Sequence, residues 1–220
     1  MLYDGFIEAL DANDNGIAAY PADIEPAFET GGITLPALVA GLNPSWSEPR
    51  TAANEDTMFL SASRLMGEAF ERKLRFYTKD WVPAREYVER ALQKRTEHDA
   101  DGRILVLERS VPFADHLFSL ENAMGIEGEQ GKEQGGKQAL YVLFAEDSAR
   151  SVWRIRCVPA SPKSFACRQL LPEAWRGLRD SELSEAAGID GCVFVHANGF
   201  IGGNETFEGA LAMAQKALTM

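Results

Sequence analysis

Hydrophobic spacing changes once along this chain, from a helical repeat of 3.6 before about residue 100 to a strand repeat of 2 beyond it. Before the change, Leu2, Phe6, Ile7 and Leu10 share one helix face, and Asn13-Asp14-Asn15-Gly16 stops that helix. Leu35 to Leu42 reads as a short helix ended by Asn43-Pro44. A long helix is predicted over residues 54–78, with Met58, Leu65, Met66, Phe70 and Tyr77 on its apolar stripe. A second is predicted to start with Asp80 as N-cap and to bury Trp81, Ala84, Val88, Ala91 and Leu92. Both stripes have the spacing of packing surfaces and carry no chemistry.

Beyond residue 100, strands are expected at Arg103 to Glu108, Ala139 to Phe144, Val152 to Val158 and Cys192 to Ala197. The second and third read as a hairpin turning over 145–150. The last, apolar throughout, is predicted to lie centrally in the sheet. Helices are expected at Phe113 to Leu120, Ser181 to Ala187 and Phe207 to Leu218. Gly125 to Gln138 holds five glycines and one apolar residue in fourteen, the composition of a mobile loop. The fold class is therefore α/β (α+β), with a helical connector over 1–100 and a mixed β-sheet domain flanked by helices over 101–220. The chain opens almost inside its first helix, as though cut from a longer one. The uncovered apolar face of that helix makes a homo-oligomer of the isolated chain an expectation.

Charge narrows the function. The net charge of −11 argues against indiscriminate nucleic-acid binding. No apolar run approaches the ~18–20 residues of a membrane span. Three widely spaced cysteines exclude a disulfide framework and a paired-cysteine zinc site, and they fit an intracellular protein. The charge is also unevenly spread. Residues 1–60 carry ten acids against Arg50 alone, whereas residues 150–180 carry seven bases against two acids. A basic stretch in an acidic protein points to an anionic ligand.

Three segments could carry chemistry. The first is the strand ending at His196, followed by Asn198, Gly202, Gly203, Asn204 and a helix. A glycine pair read as a turn before a helix N-terminus makes a backbone cradle for a phosphate or carboxylate. Glu205 and Glu208 oppose it, because they already answer the helix dipole. The second runs from Pro162 to Asp180, where Lys163, Arg168, Arg176 and Arg179 alternate with Phe165 and Trp175, a pattern suited to stacked bases and paired phosphates. The same spacing also fits a Trp in the core among surface cations. The third is Asp11 and Asp14, three apart at a helix end. Composition alone reads these two as helix-ending punctuation, since two carboxylates cannot build a hydrolytic metal site. His98 and His116 have no partner at ligand spacing and read as surface or satisfied core residues. No HExxH, GxxxxGK[ST], G-x-S-x-G or GxGxxG occurs.

The segment LPEAWRGLRDSELSEAAGIDGCVFVHANGFIGGNETFEGALAMAQKAL, at 171–218, resembles the closing segment of the melanocyte-proliferating-gene family of DHH-type phosphoesterases, described as 3′–5′ RNA exonucleases. LDANDNGI, LVAGLNPSW, FYTKDWVPAREYVERAL and WRIRCVP resemble further stretches of that family in the same order. The resemblance implies a metal-dependent hydrolase (Mn or Mg) acting on RNA or a nucleotide. In that family most metal ligands, including the Asp-His-His motif, lie in an N-terminal domain whose motifs do not occur here. Asp14, with Asp11, would be the metal ligand retained at the tail of that catalytic domain. Residues 198–204 resemble the Gly-Gly-His element that holds the substrate's end in related enzymes, with Asn204 where those have His. The resemblance also implies nucleus and mitochondrion as locations. The expected function is thus the C-terminal, substrate-binding portion of a metal-dependent phosphodiesterase, inactive by itself. The alternatives are a non-enzymatic nucleic-acid-binding or scaffold protein and a small-molecule phosphoesterase.

Overall fold

The computed structural model describes residues 1–21, 23–24, 33–126, 137–147, 150–162 and 164–220. Its contacts divide the chain into two units, Met1–Lys79 and Asp80–Met220. The boundary in contacts and the change of hydrophobic period near residue 100 fall at different points, because Val82–Gln93 is helical in period and counts within the second unit.

The first unit holds α1 (Glu8–Asp14) after a π-helical turn at Tyr3–Ile7, α2 (Leu35–Ala40) and α3 (Ala52–Arg75). Thr34 and Thr51 start α2 and α3, their hydroxyls accepting from Ala37 N and Asn54 N at 3.3 Å each. The rings of Phe6 and Phe70 meet edge to face at 6.0 Å. The expected α3 stripe is the less exposed side of the helix, yet none of the described residues of this unit is fully buried. Asp80 does not cap the next helix. Phe76–Trp81 is a π-helical turn, and Trp81 keeps helical dihedrals (φ −74°, ψ −52°) with no side-chain cap.

The second unit is built on five strands: β1 (Ile104–Val106), β2 (Tyr141–Asp147), β3 (Arg150–Cys157), β4 (Cys192–Val195) and β5 (Ile201–Asn204). Their order is β1-β2-β3-β5-β4, with β1 and β2 parallel and the other pairs antiparallel. Four helices belong to it: α4 (Val82–Gln93), α5 (Ala114–Ala123), α6 (Asp180–Ala187) and α7 (Phe207–Ala217). The fold is α+β. On one face Tyr141, Leu143, Ile155 and Cys157 pack against Leu183 of α6 and Ala210, Met213 and Ala214 of α7, with Trp175 among them. On the other, Leu105 and Val142 pack against Val88 and Leu92 of α4 and Leu117 and Phe118 of α5. Strand β2 is apolar from Tyr141 to Ala145 because both its faces are covered there. Strand β3 alternates because no described helix of this unit packs on its second face, which carries Arg154 and Arg156.

Two expectations are corrected here. The apolar β4 is an edge strand, not a central one. Its outer edge is closed by irregular chain: Val195 N donates to Leu178 O at 3.1 Å, Gly177 N donates to Val195 O at 3.0 Å, and Arg179 bridges Phe194. Gly202-Gly203 is not a turn but the middle of β5. Of the expected mobile loop over 125–138, residues 127–136 lie outside the described residues. No described helix is long and apolar enough to cross a membrane.

Candidate functional site

The turn after β4 is formed by Ala197–Phe200, not by the glycine pair. Gly199 adopts φ +69°, the left-handed conformation that glycine takes without strain, and its N–H donates to His196 O at 2.7 Å. Here the structure brings three of the predicted site residues together. His196 and Asn198 are exposed. The imidazole Nδ1 of His196 accepts from Asn198 N at 3.1 Å, which in the neutral ring leaves the proton on Nε2. The Arg176 side chain lies flat on Gly199, where a Cβ would come within 2.6 Å of Nε, and that Nε donates to Leu171 O at 3.0 Å. Its terminal nitrogens form no ion pair among the described residues.

The glycine pair has a packing role. A Cβ on Gly202 would sit 2.9 Å from Leu171 Cδ1 and 3.0 Å from Phe194 O, and one on Gly203 would sit 2.9 Å from both Arg154 Nη1 and Trp153 O. Asn204 is fully buried. Its amide donates to Asp190 O at 2.8 Å, while Oδ1 accepts from Thr206 N at 3.0 Å and Thr206 Oγ1 at 3.2 Å. Thus the Asn204 amide joins the β4 approach to the start of α7.

The cations of the 162–180 stretch separate. Arg168 is internal: it forms a two-pronged pair with the fully buried Glu121 (Nη2–Oε2 2.7 Å, Nη1–Oε1 3.0 Å), donates to Ala139 O at 2.9 Å, and lies 4.8 Å over Phe118. Glu121 Oε1 also accepts from Ala139 N at 2.8 Å. Trp175 is wholly buried, so it cannot stack on a base, whereas Phe165 is fully exposed. Lys163 lies outside the described residues. Arg179 is exposed and sits 5.8 Å over Phe194.

The sequence pattern singled out neither Arg154 nor Arg156 as a site residue, although their alternation in WRIRC was the available signal. Arg154 lies 4.9 Å over Phe194 and pairs with Glu146; Arg156 lies 4.5 Å over Phe200. His196 packs on the same Phe200 ring at 4.6 Å.

Asp11 and Asp14 are both exposed on α1 of the first unit. Asp11 Oδ1 accepts from Asn15 Nδ2 at 3.3 Å, and the Asp14 carboxylate has no partner among the described residues. No group of three or more His, Cys, Asp or Glu among the described residues could hold a metal ion. The two carboxylates fit one flank of a divalent cation's oxygen shell and no more. A cavity of about 600 Å³ beside α2 and α3 is lined mainly by apolar residues, Val39, Leu42, Met58, Phe59 and Met66 among them, with Arg50, Asn43 and Ser63 as donors and Glu55 as an acid. His116 is a satisfied core residue. It is buried, its Nε2 contacts Trp81 O at 2.7 Å, and burial lowers its pKa.

Sequence comparison decides the family. The MYG1 exonuclease family model, described as "Uncharacterised protein family (UPF0160)", matches residues 1–218. The chain belongs to the MYG1 exonuclease family. Its relatives include the MYG1 protein of Schizosaccharomyces pombe, 44% identical over 99% of this chain and 62% of the relative. The proteins called MYG1 exonuclease in Mus musculus and Homo sapiens are 44% and 43% identical over 99% of this chain, and the match covers 53% and 54% of their lengths. The chain therefore spans roughly half to three fifths of the curated MYG1 relatives it matches. No solved structure matches it.

Proposed function

We propose that this chain is the C-terminal, substrate-binding portion of a metal-dependent phosphodiesterase, a 3′–5′ RNA exonuclease of the DHH type. The observation that carries the reading is the β4–β5 turn, where His196, Asn198 and Arg176 present donors to solvent from two separate segments. A phosphate or the hydroxyls of a terminal ribose would accept hydrogen bonds from such a cluster. The exonuclease names of the animal relatives supply the reaction class. In the whole enzyme a divalent cation would activate water for attack on the phosphodiester. Asp14, with Asp11, would supply part of its oxygen shell, and the sheet unit would hold the RNA end. Nucleus and mitochondrion remain the proposed locations.

Fluorescence anisotropy with a labelled single-stranded RNA tests this. The 220-residue chain should bind the RNA without cleaving it in the presence of Mn²⁺. The His196→Ala/Asn198→Ala variant should bind about tenfold more weakly, the loss of roughly one charge-assisted hydrogen bond. Unchanged affinity in that variant, or Mn²⁺-dependent cleavage that Asp14→Ala abolishes, would overturn the assignment of this chain as a binding portion.

A further inference from the structure

Among the described residues of the second unit, helices pack on one face only of the β3–β5–β4 half of the sheet. Against its second face no helix packs among the described residues of this unit, since α4 and α5 stop over β1 and β2. Register aligns the side chains there in two rungs. Arg154 is opposite Gly203, and Gly203 is opposite Phe194. Arg156 is opposite Ile201, whose carbonyl accepts from His196 N at 2.9 Å. With no side chain at Gly203, the Arg154 guanidinium crosses β5 and reaches the Phe194 ring, and the Arg179 guanidinium lies 5.8 Å over the same ring. Arg156 and His196 flank Phe200 in the second rung. The rungs are two residues apart, about 6.6 Å along the strand. Among the described residues, Glu146 is the acid that pairs on this face, with Arg154. Arg156 and Arg179 have no ion-pair partner among the described residues, and Arg154 Nη1 is buried without a hydrogen-bond partner. A chain of net charge −11 thus gathers three arginines and two part-buried aromatic rings on the face that no described helix of this unit covers, continuous through His196 with the turn at 197–200.

We propose that this face binds the body of a single-stranded nucleic acid, Arg156 and Arg179 pairing with phosphates at positions away from the terminus held at the turn. This rests on the reading of the turn as a nucleic-acid site and extends it from one terminal nucleotide to a strand of several. Charge complementarity selects the occupant: a repeating anion matches repeated cations, and the outer guanidinium planes accept stacked bases of any sequence. A mononucleotide would be held at the turn alone.

The test compares uridine monophosphate with labelled oligouridylates of two, four and eight nucleotides on the 220-residue chain. Affinity should rise with length. In Arg156→Gln/Arg179→Gln, eight-nucleotide binding should fall about tenfold, and the slope of log affinity against log salt should shrink by about 1.4, two phosphate contacts' worth on a single strand. Mononucleotide affinity should not change, and Arg156→Lys should keep the slope. An eight-nucleotide affinity and slope equal to the parent's in the double variant, with the turn variant still weakened, overturns the strand-binding face and leaves the terminus reading standing. Absence of binding to any RNA overturns both. Displacement of RNA by polyglutamate at equal charge concentration overturns the choice of a nucleic acid over an acidic polypeptide.

Discussion

Gly209→Ala is expected to destabilise this protein although the substitution normally favours a helix. Gly209 is the third residue of α7, and its N–H donates to Thr206 Oγ1 at 3.0 Å. Alanine is preferred to glycine in a helix interior by about 1 kcal/mol. Here the added methyl would meet Asn204 Oδ1 at 2.1 Å, Cγ at 2.3 Å and Nδ2 at 2.5 Å. The Asn204 amide would have to move, giving up its bonds to Asp190 O, Thr206 N and Thr206 Oγ1 in a fully buried position. Each buried polar group left unsatisfied costs about 1–3 kcal/mol. With the amide donor and the carbonyl acceptor of Asn204 both unsatisfied, and the helix gain subtracted, Gly209→Ala should cost about 1–5 kcal/mol. In an Asn204→Ala background the three offending atoms are gone, so the same change should be neutral or stabilising by up to about 1 kcal/mol. Urea unfolding of the four proteins of this cycle reads the sign reversal directly. A midpoint that rises for Gly209→Ala in the parent background would show that Asn204 is free to swing away, and the architectural role given to its amide would be wrong.

Three other outcomes follow from the interior. Arg168→Met leaves Glu121 buried without its cation and should cost about 3–5 kcal/mol in urea unfolding, whereas Arg168→Met/Glu121→Leu should lose less than that single variant; equal losses would deny the coupling. Burial lowers the His116 pKa, so the unfolded chain binds a proton that the folded one refuses. The His116 contribution to stability should therefore be level above about pH 7 and fall as pH drops through the unfolded-state value near 6.5, and His116→Gln should flatten that part of the profile. Burial pushes the Cys157 thiol up to about 12 and raises Cys167 and Cys192 as well. A thiol-specific disulfide reagent at pH 8 should react slowly with the native protein and titrate three thiols after denaturation; prompt native reaction of Cys157 would contradict its burial.

Local periodicity and turn chemistry determined most elements of this protein from sequence alone. The Thr-started helices, the β2–β3 hairpin, α6 and α7 are each set by residues within a few positions of one another. The alternation in Val152 to Val158 set Trp153, Ile155 and Cys157 on one face of β3 and Arg154 and Arg156 on the other. What sequence could not decide was which distant segments meet. Glu121 and Arg168 are 47 residues apart, so nothing local distinguishes that buried arginine from the exposed Arg179. The glycine pair read as a turn became a strand because Arg154 and Leu171, arriving from elsewhere, need the space that two side chains would have filled. Strand β4, apolar enough for a sheet centre, ended at the edge because residues 177–179 fold back to satisfy its free backbone groups. Spacing along the chain fixes which face a residue occupies; only the long-range packing fixes whether that face meets a core, a carboxylate or water.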